Sequence, residues 1–319
     1  MVRRRLVRAL LAGVLTLAAC AAPQARRSLP QWNRAELPAL PAHAAGLRHY
    51  PAAGAHVLIV GAPGVAAALY DVPGVGGLAP YLQNQGYDVW LVDWADAPLT
   101  LGLAGLGRLA HGMAAAVNAD GRGLSVVAHG LGGVAWLAAP GAEAAGKFVF
   151  LAVPATLRMP LDPVAAFGRA DPAGTHSLAE AAAAFTGVKT DRKLLDELLW
   201  SYGAAPLDPA RYTHFYRPVG EPLLRELAAA VRAQAWPAQV RASLAALESP
   251  VRVYVGQADS LAPAWQVYET YRWAGAADKA FRFVGRANRD SREYGHLSLV
   301  AGKGAVRDVF PLVRDALAD

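Results

Sequence analysis

From residue 56 onward, short unbroken apolar runs alternate with longer segments of helical periodicity. The runs are His56-Val57-Leu58-Ile59-Val60, Tyr87-Asp88-Val89-Trp90-Leu91-Val92-Asp93, Leu124-Ser125-Val126-Val127-Ala128 and Lys147-Phe148-Val149-Phe150-Leu151-Ala152-Val153. Helical stretches around 78–85, 101–118 and 134–139 lie between them. Apolar runs with little polar interruption suit strands buried on both faces of a parallel sheet. Residues 154–248 break the alternation. Helical segments around 178–186, 191–202 and 221–235 are separated by Pro- and Gly-bearing turns, and Trp200, Tyr202, Tyr212, Phe215, Tyr216 and Trp236 gather there. The alternation then resumes with a strand Val251-Arg252-Val253-Tyr254-Val255, a helix over 263–274, a strand from Lys279 to Val284 and a helix over 303–317. This order predicts an α/β fold with a mostly parallel, doubly wound sheet. Its halves are residues 51–153 and 249–319, and a helical cap over 154–248 is inserted between them.

The N-terminus changes the reading of composition. Arg3, Arg4, Arg5 and Arg8 precede an 11-residue apolar stretch, residues 9–19, which is too short to span a hydrocarbon core of about 30 Å. It ends in Leu17-Ala18-Ala19-Cys20, and Cys20 is the only cysteine of the chain. A leader over 1–19 removes those four arginines from the formal net charge of +6 and leaves about +2. No later basic run interleaved with aromatics follows, so nucleic acid is not an expected partner. One cysteine also excludes a disulfide framework and a cysteine-based zinc site. With 54% hydrophobic and 18% charged residues, the 319-residue chain is too apolar to be disordered. Residues 20–50, with Pro23, Pro30, Pro38 and Pro41, read as a Pro/Ala-rich tether. Nothing calls for a metal or an organic cofactor.

Two resemblances follow from these motifs. Leu17-Ala18-Ala19-Cys20 resembles the lipobox of bacterial lipoproteins, which implies export, lipid modification of Cys20 and anchoring in the cell envelope. Ala21 after the cysteine is compatible with the outer membrane. A leader with a chance cysteine is the plainer alternative. The second resemblance covers about residues 55–317. Val126-Val127-Ala128-His129-Gly130-Leu131-Gly132-Gly133 stands between a strand and a helix, where the α/β-hydrolase superfamily carries its Gly-x-Ser-x-Gly nucleophile elbow. Asp259 and His296 follow later strands in the order that this superfamily uses for acid and base. Leu69-Tyr70-Asp71 and Gly86-Tyr87-Asp88-Val89-Trp90 resemble the branch of polyhydroxyalkanoate synthases and related lipases.

The sequence departs from the motif where the chemistry is most exacting. Residue 130 is glycine, so no acyl-enzyme can form through it. His129 is expected to be the ordinary residue before the nucleophile and not a base. The resemblance assigns one oxyanion donor to the backbone N–H of Leu131. Alignment by strand end places Pro63, which has no N–H, at the second donor position, with Gly64 the donor if the alignment slips by one. Asp259 and His296 are the candidate residual dyad, although each alone would pass as a turn residue and a structural histidine. Three functions stay open. One is a non-catalytic or near-inactive relative that binds a lipid, an ester or a protein partner, with an apolar acyl ligand under the cap. Another is an esterase- or lipase-like hydrolase in which the dyad activates water, and the last is an envelope scaffold. The leader reading is checked by mass spectrometry of the mature N-terminus: the chain is expected to begin at an acylated Cys20, and an unmodified Cys20 or cleavage elsewhere removes it.

Overall fold

A computed structural model describes residues 46–72, 76–157, 219–259 and 261–318. The expected cap segments at 178–186 and 191–202, and the aromatic residues from Trp200 to Tyr216, lie outside the described residues, as does the N-terminal leader. The described strands are β1 (Gly46–Tyr50), β2 (His56–Val60), β3 (Asp88–Asp93), β4 (Leu124–His129), β5 (Lys147–Leu151), β6 (Val251–Gly256) and β7 (Lys279–Val284). They form one sheet in the order β1-β3-β2-β4-β5-β6-β7. Every neighbouring pair is parallel except β1 with β3. The sequence places residues 46–50 in the tether. They are instead an antiparallel edge strand, with Leu47 opposite Val92 and Tyr50 opposite Val89. A half-buried edge strand lacks the continuous apolar run that marks the others, so the pattern does not announce it.

Eight helices are described: α1 (Leu78–Asn84), α2 (Leu103–Val117), α3 (Leu131–Leu137), α4 (Glu221–Ala233), α5 (Ala238–Ala246), α6 (Ala264–Trp273), α7 (Lys303–Asp308) and α8 (Phe310–Ala318). They flank the sheet in two groups. One joins α1 to α8, and the other runs through α2, α3, α5 and α6. The expected cap boundary at 248 therefore falls too late, because α5 packs on α3 and α6 as part of the layer covering the sheet. The single helix expected over 303–317 is two. Pro311 sits in the first turn of α8, where its missing N–H costs nothing, but a continuous helix would need that N–H. Strands β2, β4 and β5 are buried along nearly their whole length, and Trp136, Phe148, Phe150 and Phe310 fill the layers around them. Among the described residues no helix is long and apolar enough to cross a membrane.

The N-terminal ends of β2 and β3 carry a polar cluster. Asp88, buried at the start of β3, accepts from the Ala52 amide at 3.0 Å and the Trp90 indole at 2.9 Å. It also meets His49 Nε2 and His56 Nδ1, each at 2.8 Å, and Arg122 at 3.3 Å. The His49 ring stacks on Trp90 with centroids 3.7 Å apart, which fastens β1 to β3. Burial alone would push the Asp88 carboxyl upward, but the Ala52 amide, His49 and Trp90 outweigh it and hold the group below its ordinary value. A carboxyl depressed in the folded state adds stability that is fully present above its unfolded value of 3.8 and is lost as pH falls through the folded value. Asp88→Ala is expected to cost about 3–5 kcal/mol in denaturant melts at pH 7, because it strands buried donors and cations. The deficit relative to the parent should shrink below pH 4; a deficit independent of pH would refute this account.

Candidate active site

The C-terminal ends of the strands carry the other polar constellation. Strand β4 ends at His129, and the chain reverses into α3 through a single residue, Gly130, with φ 51° and ψ −127°. An L residue with a side chain pays about 1–3 kcal/mol in that region, whereas glycine enters it freely. The Gly130 N–H donates to the Leu151 carbonyl on β5 at 2.9 Å, and the Gly130 carbonyl accepts from Gly133 at 3.1 Å in the first turn of α3. Ala128, which replaces the first glycine of the elbow motif, is fully buried in the core.

Asp259 and His296 come together in front of this turn. The His296 Nδ1 lies 2.9 Å from Asp259 Oδ2. The second carboxylate oxygen accepts from the Leu261 and Ala262 amides at 3.0 and 2.8 Å. Both side chains are buried. A carboxylate accepts only, so Nδ1 donates in this bond, which leaves Nε2 as the other ring nitrogen. That Nε2 is sealed from solvent and has no hydrogen-bond partner. It points at Gly130: a Cβ built there would lie 2.6 Å from Nε2 and 3.0 Å from Cε1. The imidazole therefore occupies the room that a side chain at position 130 would need.

His129 is buried in the core beside this pair, its ring centroid 4.6 Å from that of His296. Its Nδ1 lies 2.9 Å from the Tyr70 hydroxyl and its Nε2 lies 3.3 Å from the His296 carbonyl. Burial, and after it the neighbouring His296 ring, hold the His129 imidazole well below its ordinary range, so it is neutral. A carbonyl only accepts, which places the proton on Nε2 and makes Nδ1 the acceptor of the Tyr70 O–H. Burial keeps that phenol protonated by raising it above its usual value. The Tyr70 oxygen in turn accepts the Ala62 N–H at 3.2 Å.

This last bond bears on the oxyanion position. Residues 62–65 form a turn in which the Val65 N–H returns to the Ala62 carbonyl at 3.0 Å, with Pro63 second and Gly64 third at φ 86°. Proline second and a positive-φ glycine third define a type II turn. Ala62 is committed to Tyr70, Pro63 has no N–H and Val65 closes the turn. Gly64 is left as the one amide of this loop that could face a ligand. Leu131, the other expected donor, opens α3 directly after Gly130. The sequence marks Tyr70 only within a branch resemblance. Its bond to Ala62 links residues eight apart through the tertiary fold, and no local pattern carries that signal.

Gly130, Leu131, Val134, Pro154, Leu157, Leu227, Trp236, Leu261, Ala262 and His296 line an open cavity with an empty volume, mouth included, of about 420 Å³. Its walls are apolar apart from His296 and the Trp236 indole N–H, which is buried without a partner. Among the described residues no group of His, Cys, Asp and Glu is placed to hold a metal ion.

The sheet order, the flanking helices and the elbow together define the α/β-hydrolase fold. Solved structures agree. A metagenome-derived lipolytic enzyme superposes with a TM-score of 0.57 at 11% identity, over 88% of this chain and 99% of its own. An enol-lactonase from Burkholderia xenovorans gives 0.57 at 14% identity, over 86% and 97%. A monoacylglycerol lipase from Paleococcus ferrophilus gives 0.55 at 16% identity, over 85% and 99%. No protein-family model and no curated protein sequence matches the chain.

The geometry generates a mutational test. Gly130→Ser introduces a side chain at positive φ and drives its Cβ against His296. It is expected to lower stability by about 1–3 kcal/mol from backbone strain, with the imidazole contact adding to that cost. Chemical denaturation checks this, and a variant that melts at or above the parent refutes it.

Proposed function

We propose that this chain is a hydrolase-fold protein without a nucleophile, whose cleft binds an apolar acyl or ester ligand and does not turn it over. The single observation that carries this reading is the crowding of the site at position 130. Glycine stands where the nucleophile would be, and His296 Nε2 lies within 2.6 Å of where a Cβ would sit, out of reach of solvent. Removing the serine from a serine hydrolase costs on the order of 10⁶ in kcat, and losing one oxyanion donor costs about 10²–10³ more. Pro63, at the second donor position, has no N–H to offer.

A water-activating esterase is favoured by the intact Asp259–His296 bond, but a general base must reach the water whose proton it takes. A sealed Nε2 does not. The apolar cavity beside the elbow supports a ligand of acyl or ester character. An exported lipoprotein whose nearer kin are the polyhydroxyalkanoate synthases and lipases belongs to the same proposal, and it rests on Cys20, the leader and the sequence phrases given above.

Two assays test the reading together. The parent protein is expected to resist labelling by a fluorophosphonate probe and to leave short-chain p-nitrophenyl esters at the rate of buffer. Ester turnover that His296→Ala abolishes would overturn it in favour of a dyad that activates water.

A further inference from the structure

Four large hydrophobic residues are exposed among the described residues, and three of them stand together far from chance. Trp265 (51% exposed) and Tyr268 (42%) are three residues apart on α6 and share one face, and Phe283 (41%) lies on β7. Ring contacts join Tyr268 and Phe283 into one aromatic surface through Phe281: Tyr268 to Phe281 at 5.1 Å, Tyr268 to Tyr271 at 5.6 Å and Phe281 to Phe283 at 4.9 Å. The ammonium of Lys279 sits 5.3 Å over the Tyr271 ring. Contiguous exposed apolar surface of this kind marks an interaction site.

This surface adjoins an open sheet edge. Strand β7 ends the sheet, with β6 on one side and no described strand on the other. The Asp278 and Val284 carbonyls bond to Val251 and Gln257 on the β6 side. Residues of even number along β7 therefore direct their backbone groups at β6, and Lys279, Phe281 and Phe283 direct theirs outward. The Phe283 carbonyl is covered by the Asn288 amide at 2.8 Å. Among the described residues no strand pairs with the backbone groups of Lys279 and Phe281 or with the Phe283 N–H, along an edge where the Phe283 ring is exposed. Such an edge is a template for another strand.

We propose that β7 pairs with β7 of a second copy of this chain, antiparallel about a two-fold axis at Phe281, so that the sheet continues through both copies. The side-chain pattern selects the occupant and the register. Centring on Phe281 places Phe281 against Phe281 and each Lys279 opposite Phe283 of the other copy, with the Lys279 ammonium turned to Ala274 and Tyr271 of its own chain and only its stem beside the partner ring. On the other face it sets Ala280 opposite Arg282. No like charges oppose each other, and the outward groups of Phe281 meet as a hydrogen-bonded pair. A shift that centres on Arg282 would set two guanidinium groups face to face. The surface is therefore complementary to itself, as a two-fold interface requires.

Sedimentation velocity on the purified chain, from about 1 to about 100 µM, tests this, a range that reads dissociation constants of micromolar order. The parent is expected to shift from one to two chain masses. Phe283→Glu, at an exposed position, should weaken self-association at least about tenfold while its melting temperature stays that of the parent. Phe281→Pro removes an outward N–H without touching the β6 ladder and should give the same loss. A parent that stays monomeric throughout, or a dimer indifferent to both variants, overturns the proposal. So does a monomer that binds vesicles of phosphatidylglycerol and phosphatidylethanolamine through this surface, which would assign the aromatic residues to a membrane.

Discussion

The contact on which the site depends is backbone against backbone, where the start of α3 meets the end of β2. A Cβ at Gly132 would run into the Val60 and Gly61 carbonyls, and one at Gly133 would run into Val153. Only glycine permits that approach. It draws α3 down onto the strand ends and forces the strand-to-helix reversal into the single residue Gly130, whose N–H is tied to Leu151. Strand β4 lies between β2 and β5, so this reversal occurs near the centre of the sheet. The cavity, the loop carrying Asp259 and the loop carrying His296 all gather around it. The general rule that ligands bind beyond the carboxyl ends of parallel strands is thus enforced here by three glycines.

The same crowding decides what a missing side chain means. His296 is held at both ends, its carbonyl by His129 and its ring by Asp259, so the imidazole cannot swing aside without breaking one of them. Glycine at 130 avoids backbone strain of about 1–3 kcal/mol, while Nε2 stays buried without a partner. Leaving a buried acceptor unmade also costs about 1–3 kcal/mol. The contact of a Cβ with His296 adds to the backbone strain, so the balance of stability favours glycine at this position. The large difference lies in reactivity, which falls by orders of magnitude when the hydroxyl is lost.

Much of this was legible in the sequence because it is written in local patterns. Buried parallel strands are unbroken apolar runs, the elbow is a glycine-spaced turn after one of them, and Asp259 and His296 follow strand ends in a fixed order. The misreadings have a common cause. Strand β1 is recognised only through its pairing with β3, since only Leu47 and Tyr50 of its residues are buried and it follows a proline-rich stretch. Helix α5 has the composition of a cap helix, and what sets it in the core is its packing on α3 and α6. The Tyr70 hydroxyl is placed by the fold beside two partners, Ala62 and His129, the second 59 residues away. Information that resides in which elements meet is absent from any window of sequence.

The persistence of an Asp–His pair beside a glycine looks like an argument for surviving chemistry, and the hydrogen bonds weaken that argument. Ala62 donates to Tyr70, Tyr70 to His129, and His129 to the His296 carbonyl. His296 donates to Asp259, which also takes the Leu261 and Ala262 amides. One connected network thereby joins the loops that follow β2, β4, β6 and β7. Each member is buried, so removing any one leaves donors or acceptors unmade at about 1–3 kcal/mol apiece. Deleting Asp259 alone would orphan two amides and the His296 Nδ1–H. The dyad has a sufficient reason to remain in the folded chain whether or not it ever takes a proton from a substrate. What separates a base from a strut is access to Nε2, which in this structure is buried without a partner.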